Sequence, residues 1–364
     1  MPRRAAAPFL LCVTACGGGG SPAAPPPPAS VYDLVAIVYY DENADNRADP
    51  GEIVHVPDTQ LQAGSGTGRA DHSGRAVITG VAAGNPSVTV RTSSLPPFYT
   101  APGPIPATVP QPAGSDVMVG LRLPIGFNRP NVYMGFGDSI TDGEGSSDGT
   151  GYRDRLQSKL GQHFGKADIA NQGKAGTRSN DGAQRIHQSL PAERPAYTLI
   201  LYGTNDWNQS ECKNAFPCFT IDSLRAIVQA VRGAQSLPLL ATILPCNLGG
   251  DDRCTAARQE WIHNMDELIR PMARAEGAVV VDLEAAFLAE PNLGALFVDH
   301  IHPNDAGYEI MASRFFDAIT RPVTTAAAAP EPAVAFGFLP VPPHGAPSPR
   351  EAARRVKPRP ATGE

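Results

Sequence analysis

The feature that most constrains the fold is the alternation of short apolar runs with amphipathic helical patterns between residues 127 and 320. The runs are typical of buried strands, and they cover 131–136, 167–171, 197–202, 239–244 and 278–282. Apolar side chains recur at helical spacing over 152–164, 224–231, 261–272 and 308–319. Strands that alternate with helices form a parallel sheet covered on both faces, and such sheets bind ligands at the carboxyl ends of their strands.

Residues 31–125 have a different pattern. Candidate strands at 35–40, 76–81, 87–90 and 117–123 are short and rich in β-branched residues, and turn-forming residues separate them. No long helical period occurs there. The chain of 364 residues is also long for a single core. We therefore predict a small all-β sandwich domain over 31–125, followed by an α/β domain over 127–321.

The two ends of the chain have the composition of export and tail segments. Arg3 and Arg4 precede an apolar stretch, 5–15, that is too short to span a bilayer, which predicts a signal peptide over 1–15. The residues 13–16 resemble a lipobox, so we expect a lipid anchor at Cys16 and a Gly/Pro linker over 16–30. A plain signal peptide with a chance cysteine is the alternative. Residues 322–364 are rich in Ala, Pro and Arg, which predicts a disordered tail.

These features predict a protein exported to the bacterial cell envelope, where it is lipid-anchored, or secreted. The charge balance of 30 Lys and Arg against 36 Asp and Glu includes no basic stripe, which argues against nucleic acid as a partner. Four cysteines follow Cys16, and an even number in an exported chain predicts two disulfides. We favour Cys212–Cys218 and Cys246–Cys254 because each closes a local loop, while the other two pairings remain open. No C-x-x-C spacing supports a zinc site instead.

A nucleophile and a base stand near opposite ends of the α/β segment. Ser139 follows the first strand, and a serine hydroxyl needs a base to become a nucleophile. Asp299 stands three residues before His302, where it can accept the Nδ1 proton and leave Nε2 free to act as that base. The rival base is His300, but position 297, three residues before it, is a phenylalanine. We therefore assign the catalytic roles to Ser139, His302 and Asp299.

Two segments that follow strands can supply hydrogen-bond donors. Gly173 offers a backbone N–H and Asn205 a side-chain amide, and both are suitable donors to a developing oxyanion. Asp206 is assigned only a structural role. Taken singly, Ser139 could cap a helix, and Gly173 and Asn205 could merely form turns. Their occurrence together and in this order favours a catalytic site.

The blocks GDSIT, N-x-G, GTND and D-x-x-H-P occur in this order over residues 131–320 and resemble the SGNH/GDSL hydrolases. The resemblance implies a flavodoxin-like three-layer α/β/α fold. It also implies an oxyanion hole made by the Ser139 and Gly173 N–H groups and the Asn205 side chain, and no cofactor for catalysis. The segment 137–141 lacks the closing glycine of G-x-S-x-G, which argues against an α/β-hydrolase.

The predicted activity is hydrolysis of short acyl or carbohydrate acetyl esters through an acyl-enzyme, with a small-molecule or glycan ester as substrate. The polar loop 143–148 beside the nucleophile favours a small or sugar substrate. A lysophospholipase, lipase or thioesterase on the same scaffold is the alternative. A third interpretation, a surface lipoprotein that only binds, is disfavoured by the intact catalytic residues.

The loop 41–52 near the start of the β segment has the oxygen spacing of an EF-hand-like calcium site. Its oxygen-bearing side chains are Asp41, Asn43, Asp45, Asp49 and Glu52. Asn46 stands where such loops have glycine, and Pro50 prevents a smooth helix through the site. A structural Ca²⁺ is one interpretation and an acidic solvated turn is the other. The segment also resembles Cna-B or SdrD-B-like surface modules, which are transthyretin-like β-sandwiches, and this implies a spacer or adhesive role.

Overall fold

The computed structural model describes residues 30–322. The predicted signal peptide, the predicted lipid anchor at Cys16, the linker up to residue 29 and the tail from residue 323 lie outside the described residues. No helix in the described range is both long and apolar enough to cross a membrane.

The first part of the described chain is all-β, as predicted. Its seven strands form one hydrogen-bonded sheet in the order β6-β5-β2-β3-β4-β1-β7, in which a single residue pair, Thr67 with Thr79, joins β3 to β4. The strands are β1 Val31–Tyr40, β2 Gln60–Ala63, β3 Gly66–Arg69, β4 Arg75–Ala82, β5 Ser87–Val90, β6 Ile105–Pro106 and β7 Val117–Leu121. The four predicted strands are present. The strands β2, β3 and β6 were not predicted, because they are short and contain few β-branched residues, whereas the equally short β5 contains three.

The second part contains a five-stranded parallel sheet in the order β12-β11-β10-β8-β9. Counted from the first strand of this sheet, the order is the flavodoxin-like one, so the predicted α/β fold class is confirmed. The strands are β8 Arg129–Gly137, β9 Asp168–Gly173, β10 Pro195–Leu201, β11 Leu237–Ala241 and β12 Val279–Val281. All five overlap the predicted apolar runs.

Helices cover this sheet. They are α1 Ser139–Asp142, α2 Tyr152–Phe164, α3 Ser179–Glu193, α4 Ser210–Asn214, α5 Thr220–Gly233, α6 Ala256–Ala275, α7 Leu283–Leu288 and α8 Asp305–Thr320. The four helical patterns correspond to α2, α5, α6 and α8. The sequence did not reveal α3, because it contains Gly182 and Pro191 and buries few apolar side chains. Gly182 is nonetheless needed there, since a Cβ atom would lie 2.6 Å from the ring of Tyr202.

The two parts share one hydrophobic core. Phe98 of the β-rich part lies 6.3 Å, between ring centroids, from Tyr197, which stacks on Tyr133 at 5.0 Å. Tyr133 lies at the middle of β8 and Tyr197 in the amino-terminal half of β10, and each is 2% exposed. Glu42 of the β-rich part also accepts a hydrogen bond from Asn131 at 2.6 Å. The β-rich part therefore packs toward the amino-terminal ends of β8 and β10, away from their carboxyl ends.

Candidate active site

The site begins where β8 and β10 end. Ser139 is the first residue of α1, and the preceding Asp138 caps that helix by accepting a hydrogen bond from the Ile140 N–H at 3.0 Å. Asn205 follows β10 in the same way. β8 and β10 are neighbours in the sheet, and the strand order reverses between them. Ser139 and Asn205 therefore lie at the topological switch point, where open α/β sheets bind ligands.

The structure brings the three predicted catalytic side chains together. The Ser139 Oγ atom lies 2.9 Å from Nε2 of His302, and Nδ1 of His302 lies 2.7 Å from an oxygen of Asp299. The other oxygen of Asp299 accepts the backbone N–H groups of Ile301 and His302 at 2.8 and 2.7 Å. A hydroxyl, an imidazole and a carboxylate thus form one continuous hydrogen-bonded chain.

The charge of Asp299 is secured by its hydrogen bonds. Burial alone would raise the pKa of this carboxyl, but the bonds from the His302 side chain and from the N–H groups of His302 and Ile301 outweigh it and lower the pKa to about 2. Asp299 is therefore ionised at neutral pH. This anion can hold the imidazole in the tautomer that leaves Nε2 without a proton.

His300 has no comparable contact with the nucleophile. Its Nδ1 atom lies 3.0 Å from an Asp251 oxygen without hydrogen-bond geometry, and burial lowers the pKa of its imidazole. The hydrogen bond to Ser139 Oγ is made by His302 instead.

The predicted oxyanion donors differ in their availability. The N–H of Gly173 donates to Asn171 Oδ1 at 2.9 Å, and a Cβ atom at Gly173 would collide with the backbone of Asp142. Gly173 thus permits close packing against α1, and its single donor is already used. Asn205 donates to the carbonyl oxygen of Thr177 at 3.0 Å, and its amide has a second hydrogen. The N–H of the adjacent Gly176 appears in none of the hydrogen bonds within residues 30–322.

Asp206 has the structural role expected for it. Its buried carboxylate accepts hydrogen bonds from Ser179 N–H at 2.9 Å, Ser179 Oγ at 2.6 Å and Thr220 Oγ1 at 2.8 Å. These bonds tie the loop after β10 to the first residues of α3 and α5. They fix the backbone on which Asn205 stands.

Asp138 is a feature that sequence reasoning missed. Its side chain is fully buried beside the nucleophile, and Oδ2 has no hydrogen-bond partner in the described part of the chain. Burial raises the pKa of this carboxyl to about 7, although the hydrogen bond from Ile140 N–H opposes the shift. Asp138 thus caps the first turn of α1, and its carboxyl is partly protonated at neutral pH.

The structure pairs Cys212 with Cys218 and Cys246 with Cys254, with Cα–Cα distances of 4.9 and 5.7 Å. These are the two pairings favoured from the sequence. The loop closed by the second pair touches the segment 299–302, which contains Asp299 and His302. Asn247 in this loop donates its N–H to the His300 carbonyl at 2.9 Å and its side-chain amide to the Asp299 carbonyl at 3.1 Å.

Removing the Cys246–Cys254 disulfide should therefore slow the enzyme as well as destabilise it. We expect Cys246→Ser/Cys254→Ser to lower kcat by about 10- to 100-fold, because small displacements of catalytic groups have effects of that size. Cys212→Ser/Cys218→Ser is the matched control, since either loss should cost roughly 2–4 kcal/mol of unfolding free energy. Equal kcat values for the two variants, measured at a temperature at which both are folded, would contradict the bracing role of the 246–254 loop.

The predicted calcium loop is built differently from a metal cage. Asp41 forms a salt bridge with the Arg122 guanidinium at 2.9 Å and accepts the N–H groups of Asp45 and Asn46 at 3.1 Å each. Glu52 accepts the N–H of Glu42 at 2.8 Å. Within residues 30–322, no three His, Cys, Asp or Glu side chains are placed to hold a metal ion. Asp41 is thus already paired with Arg122, and calcium binding by this loop stays a prediction.

Comparison with known proteins identifies a family that matches the α/β part of this chain. Residues 136–310 match the model of the GDSL-like Lipase/Acylhydrolase family. An acetylxylan esterase from Geobacillus stearothermophilus is 28% identical over 206 residues, which cover 50% of this chain and 91% of the relative.

Two solved structures are also similar. That of Axe2, an acetylxylan esterase from Geobacillus stearothermophilus, has a TM-score of 0.45 and 23% identity, covering 53% of this chain and 95% of that one. LAE5, an alpha/beta hydrolase enzyme from the metagenome of Lake Arreo, Spain, has a TM-score of 0.43 and 24% identity, covering 54% of this chain and 99% of that one.

The fold and the family match define the class of this protein, a hydrolase that acts on ester bonds. Its segment 136–310 belongs to the GDSL-like lipase/acylhydrolases.

Proposed function

We propose that this chain hydrolyses carboxylic esters by a Ser-His-Asp acyl-enzyme mechanism, with Ser139 as nucleophile. The observation that carries the proposal is the continuous chain from Ser139 Oγ through His302 to Asp299, with contacts of 2.9 and 2.7 Å. His302 takes the hydroxyl proton as Oγ attacks the ester carbonyl, and it returns the proton to the departing alcohol. Water activated by the same imidazole then releases the acid.

The oxyanion would be held at the switch point between β8 and β10. The second amide hydrogen of Asn205 has no acceptor among residues 30–322, and Ser139 offers its N–H at the start of α1. For the third donor we propose Gly176 in place of Gly173, because the Gly173 N–H is engaged by Asn171. Gly176 precedes Thr177, whose carbonyl oxygen lies 3.0 Å from the Asn205 amide nitrogen.

Asn205→Ala tests this arrangement. We expect kcat to fall by about 100- to 1,000-fold, the usual cost of one oxyanion donor, with a much smaller change in KM. Steady-state kinetics with p-nitrophenyl acetate would measure both constants. In a crystal of the phosphonate adduct of Ser139, the phosphoryl oxygen should lie within hydrogen-bond distance of Asn205 Nδ2 and the Gly176 nitrogen. A parental kcat in Asn205→Ala would contradict its role.

For the substrate we propose short acyl esters, in particular acetyl esters of carbohydrates. The similar acetylxylan esterase supports this choice, as does the polar loop 143–148 beside Ser139. We further propose that the protein acts outside the cytoplasm, since the segment 1–16 has the pattern of a lipoprotein signal and four cysteines form two disulfides.

A fluorophosphonate probe followed by a panel of esters tests the proposal. The probe should label the parent chain and leave Ser139→Ala unlabelled. Acetylated xylan and p-nitrophenyl acetate should be hydrolysed faster than p-nitrophenyl esters of long acyl chains or a lysophospholipid. Labelling of both proteins would remove Ser139 from the mechanism, and preference for the lysophospholipid would favour a phospholipase instead.

A further inference from the structure

A second carboxylate, Glu144, lies beside the imidazole of His302. The Oε2 atom of Glu144 is 3.5 Å from Nε2, the nitrogen that faces Ser139. Asp299 is on the other side of the ring, at Nδ1. The imidazole is therefore placed between an inner carboxylate that is partly buried and an outer one whose side chain is 56% exposed.

The backbone at Glu144 is held firmly in this place. The Glu144 N–H donates to the Ser139 carbonyl at 3.0 Å, and the Glu144 carbonyl accepts the Tyr308 hydroxyl at 2.6 Å. The next residue, Gly145, has a φ of 95° and lies so close to His302 that a Cβ atom at Gly145 would be 3.2 Å from His302 Cβ. The position of Glu144 is thus set by the nucleophile on one side and by α8 and His302 on the other.

In the described part of the chain, His302 is the one side chain that the Glu144 carboxylate contacts as an ion pair. Among residues 30–322, its carboxylate makes no salt bridge other than the contact with His302 and no hydrogen bond. An anion at an open site acts on any charge that approaches it, by about 332/(εr) kcal/mol at r Å, with ε between roughly 20 and 80 near a protein surface.

The departing alcohol must approach this anion. A proton donor works within about 2.6–3.2 Å of the atom that it protonates, so the leaving-group oxygen has to come that close to Nε2. Glu144 Oε2 is 3.5 Å from the same nitrogen. The leaving-group oxygen therefore comes within about 7 Å of Glu144 Oε2. Substituents on the alcohol side are attached to that oxygen, whereas the acyl group is attached to the carbonyl carbon.

We propose that Glu144 is a specificity-determining residue that selects against negative charge on the alcohol side of the ester. Substrates with an uncharged alcohol, such as a sugar hydroxyl, are accepted, and those with a carboxylate or phosphate there are disfavoured. This inference rests on the proposed function, because it requires His302 to protonate the leaving group.

The test compares two esters with the same acetyl group, methyl 4-acetoxybenzoate and 4-acetoxybenzoate. The para substituent of the departing phenol is an uncharged methyl ester in the first and a carboxylate in the second. The readout is the ratio of their kcat/KM values. We expect Glu144→Gln to lower the neutral-to-anionic ratio by about 3- to 30-fold, and Glu144→Lys to lower it further. In the parent chain the ratio should also shrink between about 0.05 and 1 M NaCl, since salt screens exposed charges.

Glu290→Gln is the matched control, because it removes the same charge from an exposed position that has no salt bridge in the described residues. Its ratio should equal that of the parent. An unchanged ratio in Glu144→Gln, with both esters still hydrolysed, would overturn the role of Glu144 and leave the proposed function intact. Failure of the parent chain to hydrolyse either ester, together with no labelling by the fluorophosphonate, would overturn both.

Discussion

Replacing Ser139 with alanine should lower kcat for p-nitrophenyl acetate by a factor on the order of 10⁵–10⁶, because serine hydrolases lose about that much with their nucleophile. The reason is local. Ser139 Oγ is the atom bonded to His302, and the alanine variant presents no oxygen to the ester carbonyl. Substrate binding should change little, since the oxyanion donors and the surrounding loops keep their places.

Ser158→Ala is the control for this variant. Ser158 lies on the exposed side of α2, and its replacement should leave kcat and KM as they are. Initial rates of p-nitrophenol release from equal amounts of folded protein provide the comparison. A Ser139→Ala protein with more than about one hundredth of the parent rate would show that another group attacks the ester.

Asp299→Asn should lower kcat by about 10⁴-fold. The amide is nearly the size of the carboxylate, but its NH₂ group can face Nδ1 and favour the imidazole tautomer that carries its proton on Nε2. That tautomer cannot accept the Ser139 proton. The loss should appear in kcat for esters with both good and poor leaving groups, which separates it from a loss of substrate affinity.

Asp251→Asn and His300→Ala are matched controls, because they alter the neighbouring acid and imidazole that make no contact with Ser139. Both should retain most of the parent kcat. If His300→Ala lost as much as Asp299→Asn, the base would be His300 rather than His302.

The lowered pKa of Asp299 also predicts the pH range of its effect on stability. The folded pKa is about 2 and the unfolded reference is 3.8, so the folded state binds the carboxyl proton more weakly. The stabilisation from this ionised group is fully present above the unfolded value and is lost as pH falls through about 2.

The sequence predicted the elements whose signal is periodic. The apolar runs that became β8 to β12 are long enough to show their burial. The ordered blocks around Ser139 and His302 predicted two side chains that the structure joins by a hydrogen bond. The helix α3 was not predicted, because its packing against Tyr202 depends on Gly182, a residue that lowers helix propensity.

Contacts between distant residues were beyond the sequence. The loss of the Gly173 donor depends on the conformation of Asn171, and the approach of Glu144 to His302 depends on how the loop after α1 packs on α8. The contacts of loop 41–52 show the same limit. The oxygens of loop 41–52 have the required spacing, but Arg122, about 80 residues away, forms a salt bridge with Asp41. Spacing along the chain does not show which distant cation a carboxylate meets.

The stacked rings of Tyr133 and Tyr197 have a consequence for how this enzyme can be divided. Cutting the chain near residue 126 would uncover both rings and the neighbouring Phe164, which contacts Tyr99. The α/β part would then expose an apolar patch, prone to aggregation, at the end away from its candidate active site. The β-rich part therefore forms part of the core of this protein and is not a separable spacer. The two parts stabilise each other.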